Sequence, residues 1–241
     1  MPHGRPDWYN ITPLVKVHAS EDVNEGAVRL GTISVYDRRG NVVFQDTFQN
    51  GLGYWDETEV IGSGSVTWSV GNGFLSPCAV RLEVEEGVDN YAYVQTDVGL
   101  PTAGSLGIEW VFQPFDTPGG LSFGLNFSHA DRYLSSGLDV SFSDNELIIY
   151  DAGVPRIIES DLTSIVARGD KVSLKWAVDI TEERYLRLLL NSLAWSLVDY
   201  SLSSEDNPIS PSCILSATVG GSASGSGGMK LFGCILTVNE D

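Results

Sequence analysis

Residues 42–48 read Val-Val-Phe-Gln-Asp-Thr-Phe and open the part of the chain that decides the fold. This run is apolar and β-branched, and a turn-forming stretch with Asn50, Gly51 and Gly53 follows it. Such a pattern is typical of a β-strand. Upstream, residues 33–36 have the same character, and the intervening Asp-Arg-Arg-Gly-Asn at 37–41 has the chemistry of a type I turn. The sequence therefore predicts a hairpin over residues 33–45.

Downstream of this hairpin, nearly every segment has the pattern of a strand, and helical periodicity is almost absent. Gly, Pro, Asn, Asp and Ser separate the strands at short intervals, and residues 203–212 and 220–228 are predicted loops. About twelve strands in 241 residues predict an all-β protein, a two-sheet sandwich or a barrel. The predicted strands are 65–70, 79–84, 92–97, 106–113, 121–127, 138–142, 146–150, 172–179, 185–190, 194–200, 214–219 and 230–238.

The first 31 residues have a different character. Three prolines in the first 19 residues predict an extended arm. Ser20 as an N-cap and Gly31 as a stop then predict a short helix over residues 20–31. Because so short a helix needs a docking surface, we expect the arm and helix to contact either the sandwich behind them or another subunit. The candidate assembly-contact residues are Arg5, Pro6, Trp8, Tyr9, Val23, Ala27 and Leu30.

The charge of the chain is unevenly distributed. The net charge is −18, yet residues 1–44 hold five basic and five acidic residues, so the acidic excess lies after residue 44. An excess of this size argues against nucleic acid and against an anionic membrane as partners. No run is long and apolar enough for membrane insertion, and the N-terminus lacks a secretory signal pattern. The shift in charge favours a division into a leader, residues 1–41, and a sandwich domain, residues 42–241.

The three cysteines fit neither a disulfide framework nor a metal site, because their number is odd and their spacing is wide. Cys78, Cys213 and Cys234 are predicted to be buried and reduced, although a Cys213–Cys234 pair across neighbouring strands remains open.

No cofactor is predicted, and calcium is the one metal that stays under consideration. Calcium needs several oxygen ligands from neighbouring loops. Two groups of turn residues could supply them, although ordinary turn chemistry explains both. The groups are Asp46 with Asn50 and Asp56, and Asp144 with Asn145 and Glu146.

Three segments resemble concanavalin-A-like or laminin-G-like jelly-roll sandwiches. Residues 43–55 resemble the first strand of such modules, residues 175–191 their late central strands, and residues 231–239 the closing strand that returns beside the first. The resemblance covers about residues 42–241 and implies two antiparallel sheets in a jelly roll. Separately, residues 4–9 and 36–43 resemble the leader of hypothetical proteins from phage and uncultivated-microbe genomes, which implies a virion-associated or otherwise assembly-associated protein.

Catalytic chemistry is not evident in the sequence. Glycosidases of this fold place two carboxylates on one strand face, and the closest pattern is Glu83 with Glu85. This pair runs directly into a turn at residues 87–90, so a solvated strand end is the better interpretation. No serine-hydrolase, zinc-protease or nucleotide-binding motif is present. The sequence therefore predicts a protein that is not an enzyme.

Aromatic residues near turns are the candidates for sugar contact, because sugars stack on exposed rings. Trp110 and Trp176 lie in apolar strand runs and are predicted to be core residues. The candidate sugar-binding residues are Tyr54, Trp55, Tyr91 and Tyr133.

Two functional hypotheses follow from these observations. The first is a structural protein of a virus-like assembly, a phage capsid decoration or other virion surface protein. Its N-terminal arm would hold it to protein partners in a homo-oligomer or virion shell, and it would be localised to the virion. The alternative is a carbohydrate-binding, lectin-like module or virion adhesin that binds glycans. A glycosidase ranks below both, because no convincing carboxylate pair is present.

Overall fold

The computed structural model describes the sandwich part of the chain. The described residues are 40–71, 73, 77–99, 104–116, 118–129, 132–167, 169–206, 212–223 and 225–240. The predicted arm, the predicted helix, the first strand of the predicted hairpin and most of the leader resemblance lie outside the described residues. Within the described ranges, no helix is long and apolar enough to cross a bilayer.

The described residues form sixteen strands and one short 3-10 helix (Leu162–Ser164). Every predicted strand in this part of the chain overlaps one of them. The strands are β1 (Asn41–Asp46), β2 (Glu57–Ile61), β3 (Gly64–Val70), β4 (Cys78–Val84), β5 (Tyr91–Asp97), β6 (Ser105–Asp116), β7 (Gly120–His129), β8 (Arg132–Ser141), β9 (Glu146–Asp151), β10 (Val154–Glu159), β11 (Val172–Asp179), β12 (Arg184–Leu190), β13 (Leu193–Ser196), β14 (Ser203–Asp206), β15 (Ser212–Gly220) and β16 (Gly227–Val238).

These strands assemble into two antiparallel sheets of eight strands each. Sheet A has the order β13-β12-β11-β6-β16-β4-β3, and sheet B has the order β10-β9-β8-β7-β15-β5-β2. β1 joins sheet A by pairing with the second half of β16, and β14 joins sheet B by pairing with the first half of β8. The all-β, two-sheet jelly-roll fold is thus confirmed. The closing strand lies beside the first, as the resemblance implied.

The core lies between the two sheets and is filled by one side-chain phase of each strand. In β15, buried and half-buried residues alternate along the whole strand. Alternation of this kind is expected where one face of a strand packs and the other does not. Trp110 and Trp176 are fully buried, which confirms their prediction as core residues. The Trp176 indole crosses between the sheets and donates to Ser136 Oγ at 3.1 Å.

Three strands of sheet B were not predicted, and all three have little apolar burial. β2 and β10 lie at the two edges of sheet B, and β14 lies within residues 203–212, where a loop was predicted. β14 is a strand because its backbone pairs with β8, Ser203 opposite Ser135. Edge strands leave most side chains in solvent, so backbone pairing forms them without an apolar pattern in the sequence.

The cysteines are buried and unpaired, as predicted. The structure contradicts a pairing of Cys213 with Cys234, because Cys213 lies in β15 of sheet B and Cys234 in β16 of sheet A. Burial raises the pKa of the Cys213 thiol to about 12 and that of Cys234 well above its usual value. The thiols therefore act as small apolar core groups.

Asp46 organises the loop that follows β1. Its carboxylate accepts hydrogen bonds from the Phe48 amide at 2.7 Å and from the Trp55 indole at 2.8 Å. Burial raises the pKa of Asp46, and these hydrogen bonds lower it in part. The Trp55 ring stacks on Phe48, with 5.5 Å between centroids, and packs against Trp110 at 5.8 Å. A buried carboxylate thus fixes the aromatic group that closes one end of the core.

Glu240 anchors the C-terminus on the outer side of sheet A. Its carboxylate lies 2.8 Å from Lys175 Nζ and also pairs with Arg187 and accepts from the Thr237 hydroxyl. The Glu240 side chain is fully buried. Position 107 favours glycine, because a Cβ there would lie 2.4 Å from Glu240 Oε1. The carboxylate therefore ties the end of the chain to three strands of sheet A.

Replacing Asp46 tests the loop anchor. Asp46→Ala leaves the Phe48 amide and the Trp55 indole buried without this acceptor, and each unsatisfied donor costs about 1–3 kcal/mol. We expect the free energy of unfolding to fall by about 3 kcal/mol, measured by urea unfolding followed by tryptophan fluorescence. Asp89→Ala is the control, because Asp89 is exposed in a turn. Equal stabilities of the two variants would contradict the role of Asp46.

Replacing Glu240 tests the C-terminal anchor. Glu240→Gln keeps the shape but removes the negative charge beside Lys175, whose side chain is 3% exposed. Breaking a buried ion pair from one side costs about 3–5 kcal/mol. We expect a loss of this size in urea unfolding. The exposed Glu85→Gln serves as the control and should change stability by less than about 0.5 kcal/mol.

Candidate functional site

The outer face of sheet B is lined by small polar residues along its three central strands. In β7, the side chains that face the core are Leu121, Phe123 and Leu125, whereas the residues that face outwards begin with Gly120 and Ser122. In β15 from residue 215 onwards and in β8 from residue 137 onwards, buried apolar residues likewise alternate with small polar ones, whereas the other end of the face has Ile214 and Tyr133 at outward positions. The small outward residues at this end of the face are Ser216, Thr218 and Gly220 on β15, Gly120, Ser122 and Gly124 on β7, and Gly137, Asp139 and Ser141 on β8.

Strand register brings these nine residues into three parallel rows. Thr218 pairs with Ser122, and Ser122 pairs with Asp139. Gly124 is the middle member of a second row, in which it pairs with both Ser216 and Gly137. Short side chains over three adjacent strands leave a depression in the surface. We call these nine residues the central trough.

Larger side chains border the trough on both sides. Tyr91 and Tyr93 project from β5, next to β15, and Ile148 and Tyr150 project from β9, next to β8. β5 and β9 are four strand spacings apart, which corresponds to about 19 Å at about 4.8 Å per spacing. The Tyr150 ring leans over the trough, since a Cβ on Gly137 would lie 3.2 Å from it. The trough is thus a polar floor between two aromatic borders.

Carboxylates hold two of the border tyrosines by their hydroxyl groups. Tyr93 donates to Glu59 of β2, and Tyr150 donates to Asp139 within the trough. The hydrogen bond to Glu59 is the main cause that raises the pKa of Tyr93 to about 12. Burial, followed by the Asp139 hydrogen bond, raises the pKa of Tyr150 to about 12. Both phenols therefore stay protonated at neutral pH and are poor general bases.

Tyr185 supports the floor of the trough from beneath. β8 pairs with β9 along residues 138–141 and with β14 along residues 132–135, so Gly137 falls between the two partners. Tyr185 of sheet A fills this gap, and its hydroxyl accepts from the Gly137 amide at 3.1 Å. The same hydroxyl lies 3.3 Å from the carbonyls of Gly137 and Tyr150. A core residue thus positions both the trough floor and one aromatic border.

The face has an acidic character. Glu57 and Glu59 stand at one side of the rows, Asp139 within the trough and Glu146 at the far side. Among the described residues of β5, β7, β9 and β15, none is lysine or arginine. The available groups are carboxylate, hydroxyl and backbone oxygens together with phenol rings. Such a surface accepts hydrogen bonds from hydroxyl groups and repels anions.

The four predicted sugar-binding residues are dispersed. Tyr91 is 40% exposed and borders the trough. Tyr133 lies on the same face but at the other end of β8, opposite Glu205 of β14. Tyr54 is exposed in the turn before β2, where its carbonyl accepts from Thr96. The prediction that Trp55 is exposed is wrong, because Asp46 holds its indole inside the core.

Tyr93, Tyr150 and the central trough were not among the predicted site residues. A signal for the trough exists in the sequence, because one phase of residues 120–125 is small and polar while the other is large and apolar. The same pattern recurs in residues 216–220 and 137–141. What the sequence does not contain is the pairing of β7 with β15, which are separated by more than eighty residues.

The other predicted sites have ordinary structural roles. Among the described residues, no group of three or more His, Cys, Asp or Glu side chains could hold a metal ion. The Asp46 carboxylate is engaged by Trp55, and that of Asp56 accepts from the Asp97 amide at 2.7 Å. Asp144 accepts from the Ser141 hydroxyl within its own turn, and Asn145 Oδ1 accepts from the Thr163 amide of the 3-10 helix. The candidate calcium groups are thus used in loop hydrogen bonds.

The carboxylates of Glu83 and Glu85 have different surroundings. Glu83 forms an ion pair with Arg81 on the outer side of sheet A. Glu85 is exposed beyond the end of β4.

Comparison with solved structures identifies the fold. The endo-β-1,4-glucuronan lyase of the fungus Trichoderma reesei aligns over 82% of this chain and 96% of its own, with a TM-score of 0.55 and 12% identity. A carbohydrate esterase of the Shiga toxin-encoding bacteriophage phi24B aligns over 84% and 100%, with a TM-score of 0.51 and 11% identity. The chain has a lectin-like jelly-roll fold. At these identities, the similarity concerns the fold alone.

A third similar structure is lectin I-B4 of Griffonia simplicifolia, which aligns over 81% of this chain and 99% of its own, with a TM-score of 0.47 and 12% identity. No protein-family model matches the sequence, and no curated protein matches it.

The tyrosines of the site should make stability depend on alkaline pH. Burial is the main cause that raises the pKa of Tyr185 to about 12, from an ordinary value of 10.0. Between these values the unfolded chain has lost the proton and the folded chain retains it. The contribution of Tyr185 to the free energy of unfolding is therefore fully present below about pH 10 and is lost as the pH rises towards 12.

Urea unfolding between pH 8 and pH 12 measures this effect. Tyr185→Phe should reduce the slope by up to about 1.4 kcal/mol per pH unit. Tyr93→Phe should reduce it less, because solvent screens the exposed Tyr93–Glu59 pair. Identical slopes in the wild type and in Tyr185→Phe would contradict the claim that burial of the Tyr185 hydroxyl raises its pKa.

Proposed function

We propose that the protein binds carbohydrate on the outer face of sheet B and that its ligand is an uncharged polysaccharide or oligosaccharide. The observation that carries this proposal is the central trough between its aromatic borders. Sugar rings have apolar faces that stack on tyrosine and hydroxyl groups that donate to carboxylates, and this face offers both kinds of partner. The sugar-directed activities of two proteins of similar fold, the glucuronan lyase and the carbohydrate esterase, support the proposal.

The charge of the face selects among carbohydrates. Glu59 and Asp139 would repel a polyuronate, and neither the nine trough residues nor the described residues of β5 and β9 include a cation to compensate. Neutral glycans pay no such cost, because their hydroxyl groups can donate directly to these carboxylates. The proposed ligand class is therefore neutral glycans rather than a polymer such as glucuronan.

A binding role fits the site better than catalysis does. Lyase or esterase chemistry requires a base or an activated nucleophile at the reacting atom. The border tyrosines Tyr93 and Tyr150 retain their protons at neutral pH, so neither phenol supplies such a base. We therefore propose a lectin-like binding protein. An assay for unsaturated sugars or released acetate on any glycan that binds would contradict this if products formed.

The assembly role predicted from the sequence is compatible with glycan binding. Its proposed contact residues, from Arg5 to Leu30, lie outside the described residues, so a capsid decoration role and a virion location remain predictions. β1, which continues from the leader, belongs to sheet A, whereas the trough lies on sheet B. A protein attached to a particle through its leader could therefore present the trough outwards as an adhesin. Proteomic analysis of purified particles would test the virion location.

Filling the trough tests the proposed function. Ser122 is exposed in the centre of the trough, between Thr218 and Asp139, so Ser122→Leu adds bulk there at little cost to folding. We expect wild-type protein to be retarded in affinity gels that contain β-glucan, xylan or mannan, and not in gels with polyglucuronate. Ser122→Leu should weaken this retardation at least tenfold.

The matched control is Thr67→Leu, an exposed strand position in β3 of sheet A. This variant should bind the neutral glycan as the wild type does. If none of the neutral glycans binds, or if Ser122→Leu binds like the control, the proposal is wrong. Retardation by polyglucuronate alone would overturn the assignment of a neutral ligand.

A further inference from the structure

Sheet A is covered on the side that faces away from sheet B. In β11, every residue except the last is buried, and β6 and β16 contain similar unbroken runs. β15 of sheet B shows the opposite pattern, a strict alternation of buried and half-buried residues. A sheet with one free face alternates, whereas a sheet covered on both faces is buried continuously. The central strands of sheet A therefore have a layer on each side.

The covered face contains a second apolar cluster and buried charges. Ala79, Val111 and Phe232 form a cluster separate from the main core, and each is 1% exposed. Glu109 and Lys175 occupy neighbouring outward positions and are 6% and 2% exposed. Long charged side chains at the surface of a sheet are rarely buried to this extent unless another layer packs on them.

The length and position of the leader identify the covering segment. The described strands form two sheets and no third layer. Residues 1–39 are the one long segment outside the described residues, since each of the others holds five residues or fewer. They join the sandwich at Gly40, which lies on the covered side of sheet A. A Cβ at Gly40 would be 2.6 Å from Glu240 Oε1 and 2.9 Å from Thr237 Cβ.

The length and the charge of residues 1–39 both suit a position over the outer face of sheet A. Thirty-nine extended residues can span more than about 100 Å, and the seven-strand path of sheet A is about 29 Å wide at about 4.8 Å per spacing. The leader carries five basic and five acidic residues, while residues 45–241 carry the whole excess of −18. The covered face is balanced too, with Lys175 and Arg187 against Glu109 and Glu240. A neutral segment packs on a balanced face without added repulsion.

We propose that residues 1–39 pack over the outer face of sheet A of their own chain, as a third layer on the Ala79–Val111–Phe232 cluster. This arrangement competes with the sequence-based hypothesis in which the arm clasps a neighbouring subunit, because the same residues cannot serve both contacts. It also leaves the outer face of sheet B as the large face available to a partner or ligand.

Photo-crosslinking of the full-length chain tests this proposal. A photoreactive amino acid replaces Leu189, which stands next to Lys175 in the sheet, or Ser69, which stands next to Ala79. Both positions are half-buried at the margins of the covered face, so substitution there disturbs folding little. Ser122 on sheet B provides the control position. Equal amounts of isotopically light and heavy chains are mixed before irradiation, and crosslinked peptides are identified by mass spectrometry.

We expect crosslinks from positions 189 and 69 to residues 1–39, each within a single isotope, and no such crosslinks from position 122. Mixed-isotope crosslinks to residues 1–39 would show that the leader of a second copy covers the face and would overturn the proposal. Failure of both positions to reach residues 1–39 would overturn it as well. As a second measurement, Val111→Glu should speed hydrogen exchange in peptides from residues 1–39 at least tenfold, whereas Ser122→Leu on the outer face of sheet B should leave it unchanged.

Discussion

The alternation of side chains along each strand is the constraint on which the rest of this structure depends. Because the inner phase of both sheets fills one shared core with Trp110, Trp176 and Phe123, the outward phase is fixed for every strand. A shift in register by one residue would move Ser122 and Gly124 into the core and expose Phe123. The trough is therefore a consequence of core packing, since the strand that buries Leu121, Phe123 and Leu125 must present its small polar residues outwards.

The outward-facing side chains of the two sheets differ in size, polarity and burial. On sheet B, the outward phase is small and polar and is bordered by tyrosines that carboxylates hold in place. On sheet A, the outward phase includes Val111 and Phe232, and it is buried. The buried charges on that side, Lys175 and Glu240, form an ion pair of 2.8 Å, which offsets the cost of removing both from water. One sheet is thus suited to contact with solvent and ligand and the other to contact with protein.

The sequence was sufficient to predict the fold class and most strands, because long strands with one apolar phase leave a clear pattern. β11 was predicted with its observed bounds, and β1 was placed beside the closing strand. β2, β10 and β14 were missed because edge pairing through the backbone leaves no apolar pattern. Tyr91 was found as an exposed ring, but Tyr150 was not, since its role depends on Asp139 and Tyr185, which only the tertiary structure brings together. Trp55 was misjudged because nothing local in its sequence shows that Asp46 accepts from its indole.

The net charge of −18 has a different meaning once the faces are distinguished. Residues 1–39 carry equal numbers of positive and negative groups, and the covered side of sheet A is balanced as well. Part of the acidic excess is therefore concentrated on the open face, where Glu57, Glu59 and Asp139 are available to a ligand. An acidic face with protonated phenols offers acceptors in excess of donors, so a good partner must bring donors without bringing negative charge. Hydroxyl-rich neutral glycans meet this requirement, whereas polyuronates and nucleic acids do not.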